Sequence, residues 1–324
     1  MNIKNLSPML KFILFRFPVI LLLIYSIGFN SFAQDKSLAE RLGYKPTDKL
    51  LIINSDDVGM NYAANMATIE GMEKGLITSG TIMTPCPWFS HIAEYSRNNP
   101  DKDFGVHLTL TSEWRQYRWG SVASRDLVKG LYDRDGYLWR SVREVYENAT
   151  PQEALIEGRA QIQKALDAGI PVTHIDSHMG TMQIDTNFLK IYVQLALEFN
   201  LPLRMASQEV MEKRLQPNLR DDMKKKGLVF TDHFVSPYST QYEGVKQYWT
   251  DVIKNLKPGV TEIYIHASLR NDEIKLISST AEIRAQEAEC FTTDPDIRQL
   301  IKDQGIILIS YRPMLELQRK SIKQ

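Results

Sequence analysis

Cysteine is the scarcest residue of this 324-residue chain, which has only Cys86 and Cys290. So few cysteines exclude a disulfide-stapled miniprotein. We expect two buried free thiols, because nothing in the sequence brings these two distant positions together. The chain is 43% hydrophobic and 24% charged, which is the composition of a protein that buries a full core and excludes disorder or low complexity.

An excess of charge of one sign is also absent. Lysine plus arginine and aspartate plus glutamate both number 39. Three of the bases lie in the first 33 residues, which contain no acid. Phosphate binding needs a basic surface, so nucleic acid is not expected as a partner.

Long hydrophobic runs are missing except for one, at residues 17–29. This run is shorter than the ~20 residues that a helix needs to span hydrocarbon. It follows scattered positive charges and ends in Ser31-Phe32-Ala33, so residues 1–33 are predicted to be a cleavable signal peptide, the alternative being an uncleaved anchor. We therefore expect a secreted or periplasmic protein with no stable membrane insertion after cleavage.

Internal repeats and Gly/Ser- or Pro-rich linkers are missing too, so residues 34–324 are predicted to form one domain. Short apolar runs alternate with longer amphipathic segments, which is typical of β-α units around a parallel sheet. The expected fold class is α/β, a single-domain (β/α) barrel-like fold that is distorted or incomplete. Strands are predicted at 50–55, 80–84, 104–110, 171–176, 201–205, 262–266 and 306–310, and helices at 62–74, 87–97, 151–168, 186–199, 245–255 and 295–303.

Residues 111–139 lack clean periodicity and are rich in tryptophan and tyrosine, including Trp114. We interpret them as a long aromatic-rich insertion at the mouth of the barrel. Its aromatic side chains have two possible roles, stacking on sugar rings or packing the insertion onto the barrel.

Polar residues at the carboxyl ends of parallel strands are the first candidates for chemistry. Residues 51–55 form an apolar strand that ends in two adjacent carboxylates, Asp56 and Asp57. Such a pair is costly without a cation or hydrogen bonds, although it also suits the cap of a following helix. Alternation along residues 104–110 puts His107 on a face of small residues.

Two further strand ends carry histidine. Period-two alternation puts His174, Asp176 and His178 on one side if that strand is long enough. His266 ends another apolar run, where, taken alone, a buried structural histidine is more common than a functional one. Together, Asp57, His107 and His178 offer one oxygen and two imidazole nitrogens, a set that holds a divalent ion and leaves positions open. No short sequence spacing supports this set, which depends on the strands converging.

Several ordered motifs carry a family resemblance over residues 50–312. Residues 51–60 resemble L-I-V-N-A-D-D-F-G-L, 75–79 resemble G-I-V-T-S, 105–111 resemble G-x-H-L-x-L-T, 173–178 match T-H-x-D-S-H, and 262–266 are similar to a stretch that ends in H-P-G. On these residues the chain resembles the YdjC/ChbG-like carbohydrate deacetylases, relatives in architecture of the NodB-type polysaccharide deacetylases.

The resemblance implies a barrel-like fold and a metal site at Asp57, His107 and His178. It also implies that Asp56 is the general base and His266 the general acid, and that Arg204 steers a substrate carboxylate. His174, Asp176 and Trp114 are further substrate-binding candidates. The sequence departs from the family pattern where Met179-Gly180-Thr181 follow His178 and where Ala267-Ser268 follow His266.

The function expected from the sequence is metal-assisted removal of an acetyl group from an N-acetylated sugar or oligosaccharide. The cofactor is one divalent ion, Mg²⁺ by family association or Zn²⁺ or another transition metal by ligand type. The alternatives are a metallohydrolase of another ester or amide on the same scaffold and a non-catalytic glycan-binding protein.

Overall fold

The computed structural model describes residues 36–214, 216–238 and 243–321. The predicted signal peptide, residues 1–33, lies outside these ranges. Within them, no helix has the length and apolar character that crossing a membrane requires.

Among the described residues, seven parallel strands form one sheet in the unit that begins at Ser37. Their order is β4-β3-β2-β1-β6-β5, and β7 pairs with the first part of β1. The strands are β1 Lys49–Val58, β2 Ser79–Ile82, β3 Phe104–Leu108, β4 Ile175–Ser177, β5 His233–Val235, β6 Gly259–Ile265 and β7 Ile307–Leu308. This arrangement confirms the predicted single-domain α/β barrel-like fold with an incomplete barrel.

Helices connect the strands and pack against the sheet. The helix Pro151–Asp167 begins as its sequence predicts, because Thr150 caps it, Pro151 occupies its first turn and Glu153 completes a capping box. The α-helices are Leu38–Arg41, Tyr62–Glu73, Phe89–Asn98, Val142–Asn148, Pro151–Asp167, Thr181–Ile184, Thr186–Glu198, Gln208–Lys213, Leu219–Lys225, Val245–Lys254, Asp272–Ile277, Ala281–Thr292, Pro295–Asp303 and Arg312–Ser321.

Several elements differ from the sequence prediction. The strand predicted at 201–205 is only an isolated parallel bridge between Leu203 and Ile175. Pro202 has no backbone N–H, so it cannot donate a hydrogen bond that would extend the pairing of this segment with β4. Its carbonyl accepts a hydrogen bond from Ile175 N. The short strand β5 and the helix Ala281–Thr292 were not predicted.

The segment 111–139 contains two 3₁₀ turns, Arg125–Leu127 and Lys129–Leu131, and is otherwise irregular. Its tryptophans hold it together through indole hydrogen bonds. Trp119 is buried and donates to the Thr111 carbonyl at 3.0 Å, and Trp139 donates to the Gly130 carbonyl at 2.7 Å. Packing therefore accounts for these two aromatic residues.

Strand β1 lies at the centre of the core. Its apolar side chains Leu51 and Ile53 are fully buried and pack in one cluster with Trp249 and Phe291 from the surrounding helices. Cys86 and Cys290 are both free and buried, as expected.

Replacing Ile53 by alanine tests how far the sheet depends on β1. We expect Ile53→Ala to lower the free energy of unfolding by about 2–5 kcal/mol, because it leaves a cavity in a close-packed core. Urea denaturation followed by circular dichroism measures this change. Leu276→Ala is the control, since that side chain is 77% exposed; a similar loss in both variants would contradict the argument.

Candidate metal and catalytic site

A cavity of about 440 Å³ opens at the carboxyl ends of the strands, within the size range of small-molecule sites. Six predicted site residues line it: Asp56, Asp57, His107, His178 and His266, from the ends of β1, β3, β4 and β6, and Arg204, which follows the bridge residue Leu203. Neighbouring strand residues normally face opposite sides. Here the β1 ladder is irregular between Ser55 and Val58, and Asp57 has a left-handed φ of 62°. This kink lets both carboxylates face the cavity, at some backbone cost.

Asp57, His107 and His178 converge on one point. Asp57 Oδ1 lies 3.2 Å from His178 Nδ1 and 3.5 Å from His107 Nε2, and those two nitrogens are 3.3 Å apart. The three residues are at most 4% exposed. The structure therefore brings together the three ligands that the sequence predicted.

The donor set fits a cation. Within the described residues, neither oxygen of Asp57 accepts a hydrogen bond, although the Arg284 guanidinium lies 2.8 Å from Oδ2. A second group, Asp56, His107 and Asp176, also has close ligand atoms. The carboxylates of that group already accept hydrogen bonds from Arg204 and Thr81, so the Asp57 group is the better ligand set.

A carboxylate lies behind each histidine of the set. Asp176 Oδ1 accepts from His107 Nδ1 at 2.6 Å, and Glu113 Oε2 accepts from His178 Nε2 at 3.0 Å. Because these bonds fix the tautomers, His107 Nε2 and His178 Nδ1 are the nitrogens that face Asp57.

The two histidines have raised pKa values. Burial opposes their protonation, but Asp176 and Asp56 raise the pKa of His107 to about 9, and Glu113 and Asp57 raise that of His178 to about 10. For Asp57, burial is likewise outweighed, here by Arg284 and the two histidines, so its pKa is well below the usual range. The centre of this cluster therefore favours positive charge, which protons or a cation can supply.

Asp56 is held as an anion beside this cluster. Arg204 binds it through two bonds of 2.7 Å, and Asn54 Nδ2 donates to it at 2.8 Å. Burial opposes ionisation, yet Arg204 and His107 lower the pKa of Asp56 to about 2. It is thus ionised at every ordinary working pH.

Arg204 lines the cavity but mainly binds carboxylates of this chain. Besides Asp56, it contacts Asp176 Oδ2 and Glu262 Oε1, both at 2.8 Å, and its guanidinium lies 4.6 Å from the Tyr264 ring centroid. Most of its donors are therefore occupied by the protein itself. This geometry makes Arg204 the residue that positions and neutralises acids, whereas its predicted contact with a substrate carboxylate stays a prediction.

Two of the predicted substrate-binding residues need correction. Asp176 is fully buried and orients His107 rather than facing the cavity. His174 stacks on Tyr311 at 3.7 Å between ring centroids. A Cβ on Gly105 would lie 2.6 Å from the His174 ring, so this glycine makes room for it. His174 is fully buried and is not among the residues that line the cavity.

His266 lines the cavity, and burial lowers its pKa to about 4. A neutral histidine can give up a proton to a leaving group only after it has accepted one. Trp114 is half-buried near the site, with its ring centroid 6.3 Å from that of His178. Its contact with substrate remains a prediction.

Three charged site residues escaped the sequence analysis: Glu113, Glu262 and Arg284. Glu113 is an acid in the aromatic segment, five residues after the end of β3. This position near a strand end was the only local feature that could have indicated a site residue. Glu262 begins a stretch noted only for its histidine. Arg284 lies on the unpredicted helix Ala281–Thr292, where nothing distinguishes it from the other charged residues.

Comparison with known proteins identifies the relatives of this chain. A carbohydrate deacetylase of Thermoanaerobacter pseudethanolicus is 30% identical over 264 residues, which is 81% of this chain and 98% of the relative. A carbohydrate deacetylase of Enterococcus faecalis is 29% identical over 270 residues, 83% and 99% of the two chains. A crystal structure from Enterococcus faecalis V583, of a candidate cellobiose-phosphate cleavage protein, superposes with a TM-score of 0.73 at 28% identity and covers 82% of this chain and 99% of its own.

The fold and the site define an α/β barrel-like protein whose strand ends hold a buried Asp-His-His cluster. The YdjC-like protein family model matches residues 50–303, and the chain belongs to that family. The predicted family is thereby confirmed. The names of the relatives bear out the prediction of a hydrolase of the carbohydrate deacetylase class.

Glu262 provides a test of the charge balance around Arg204. Burial raises its pKa from the ordinary 4.5 to about 7, against the opposing effects of Arg204 and Tyr311. The folded protein thus keeps a proton that the unfolded chain releases between these pH values. The stability that this proton contributes is complete below pH 4.5 and is lost as the pH rises towards 7.

We expect Glu262→Gln to remove the loss of stability that the wild type shows between pH 4.5 and 7. Relative to the wild type, the variant should gain up to about 3 kcal/mol in unfolding free energy between pH 4.5 and 7. Urea denaturation of both proteins in the same buffers, with chelator present, measures the difference. A difference that does not change with pH would show that Glu262 is ionised throughout.

Proposed function

We propose that the chain is a metal-dependent hydrolase that removes the acetyl group from an N-acetylated sugar or oligosaccharide. One observation carries the proposal. Asp57, His107 and His178 form a ligand set whose carboxylate accepts no hydrogen bond from the described residues, and an ionised carboxylate, Asp56, lies beside it. The relatives named carbohydrate deacetylase support it.

Asp57, His107 and His178 would hold the divalent ion. Such an ion polarises a carbonyl and lowers the pKa of a water molecule from 15.7 towards neutrality. One carboxylate and two imidazoles suit zinc or another transition metal, whereas family association favours magnesium. Elemental analysis of the purified protein decides between them.

Asp56 is the proton acceptor of the proposed reaction. Arg204 keeps it ionised, and Asn54 and Arg204 fix its orientation. A pKa of about 2 makes a weak base, so Asp56 needs a water molecule that is already acidified. Water then adds its oxygen to the acetyl carbon as Asp56 takes a proton.

His266 is the proposed proton donor to the leaving nitrogen. Because it is neutral at ordinary pH, it has to take up a proton during the cycle before it passes one on. The C–N bond then breaks, and the products are acetate and the free amino sugar. We also propose that this reaction takes place outside the cytoplasm, on the basis of residues 1–33.

Loss of a ligand should abolish both metal binding and turnover. We expect Asp57→Ala and His178→Ala to lose the metal found in the wild type and to release no acetate from N-acetylated sugars. Elemental analysis and an acetate assay measure the two effects. The control is His233→Ala, a histidine on β5. Activity in a metal-free preparation of either ligand variant would rule out the proposed mechanism.

Loss of the base should separate binding from catalysis. Asp56→Asn should keep the metal and lower kcat by roughly 10²–10⁴, the usual contribution of a general base. Asp135→Asn, at an exposed position, controls for the substitution itself. Full activity in Asp56→Asn would show that another residue is the base.

Parallel assays on O-acetylated sugars test the ester alternative. Glycan binding without turnover in the metal-loaded wild type would indicate a binding protein.

A further inference from the structure

Arg284 is a buried cation of the cavity that the mechanism above does not use. It extends from the helix Ala281–Thr292, lines the cavity and is only 7% exposed. We propose that Arg284 is the oxyanion-binding residue of the site, donating from Nη1 to the acyl oxygen of the substrate and to the carboxylate of the acetate product. The identity of the acyl group rests on the proposed function.

Three contacts fix the Arg284 guanidinium. Its Nε donates to Thr280 Oγ1 at 3.2 Å, its Nη2 lies 2.8 Å from Asp57 Oδ2, and its central carbon lies 5.8 Å from the Trp114 ring centroid. A donor held in advance stabilises developing charge without having to reorganise during the reaction.

The remaining nitrogen, Nη1, is buried and has no hydrogen-bond partner in the described part of the chain. Leaving a buried charged donor unsatisfied is costly, so a partner from outside the chain is expected. Nη1 shares its carbon with Nη2, which contacts the ligand Asp57. A group bound by Nη1 would therefore lie close to Asp57, the carboxylate proposed to hold the ion.

The charge around Asp57 also favours an anion here. A guanidinium next to a metal ligand repels the cation, and an anionic oxygen between the two relieves this repulsion. The other arginines are less suitable. Arg204 is occupied by Asp56, Asp176 and Glu262, and Arg214 is exposed where it lines the cavity.

Calorimetric titration of acetate into the metal-loaded protein tests the proposal without requiring turnover. We expect Arg284→Met to weaken acetate binding at least about tenfold, as loss of a charge-assisted hydrogen bond does. Arg284→Lys keeps a positive charge beside Asp57, so this variant should fold. Its ammonium group lacks the two terminal nitrogens with which a guanidinium binds two partners at once. We therefore expect it to bind acetate, but weakly. Arg214→Met, the matched control, should stay within about twofold of the wild type.

Metal content and turnover complete the test. Arg284→Met should hold at least as much metal as the wild type, because a competing cation is gone, while kcat falls by about 10²–10³. Loss of metal from Arg284→Met would make Arg284 a positioning residue for Asp57 and overturn the proposal. Wild-type acetate affinity in both Arg284 variants, or no acetate binding by the wild type, would also overturn it.

Failure of this inference can be told apart from failure of the proposed function. A wild type that releases no acetate from N-acetylated sugars, but binds acetate through Arg284, would reject the deacetylase and support the oxyanion site. An active wild type whose Arg284→Met and Arg284→Lys variants both keep full kcat and full acetate affinity would reject the oxyanion site alone.

Discussion

The ion pairs of one buried arginine hold the site together. Arg204 contacts Asp56 from β1, Asp176 from β4 and Glu262 from β6, so its single positive charge joins three strands. Burying any of these carboxylates without a partner would cost several kcal/mol. With Arg204 in place, Asp56 remains ionised and Asp176 can orient His107. The site is thus built on an ion-pair network that borders the cavity at Arg204 and Asp56 and continues into the core at Asp176 and Glu262.

The two adjacent aspartates differ because of the backbone between them. The left-handed φ of Asp57 turns its carboxylate towards the histidines, while Asp56 remains within reach of Arg204. Both are buried and both have lowered pKa values. They differ in hydrogen bonding, since Asp56 accepts several bonds and Asp57 accepts none from the described residues. An acid already saturated with donors is a poor metal ligand, whereas an unsaturated one is a good ligand, so the neighbours of each residue favour the role proposed for it.

The sequence predicted the part of this arrangement that local pattern encodes. Apolar runs that end in acids or histidines located Asp57, His107 and His178, and parallel topology predicted that they would meet. Strand alternation was a less reliable guide to how deeply a side chain is buried. It predicts the side of the sheet on which a residue lies but not its distance from the cavity, so the prediction that His174 binds substrate was wrong. Arg284 and Glu113 were missed because each depends on a contact between distant segments. An arginine on a charged helix has no local feature that predicts a buried contact with a strand end.

Charge balance links the two arginines of the cavity to amide hydrolysis. Arg204 compensates Asp56, Asp176 and Glu262, and Arg284 lies next to Asp57, the acid proposed to bind the ion. An intact amide is neutral, so it gains little from the extra positive charge that an ion and Arg284 would supply together. Attack by water would place a negative charge on the acyl oxygen, and the proposed ion and Arg284 would stabilise that state selectively. Interactions that strengthen only as the barrier is approached are those that accelerate a reaction. A cavity in which Arg284 and the proposed ion would both lie near the acyl oxygen is therefore suited to a reaction in which a neutral substrate becomes an anion.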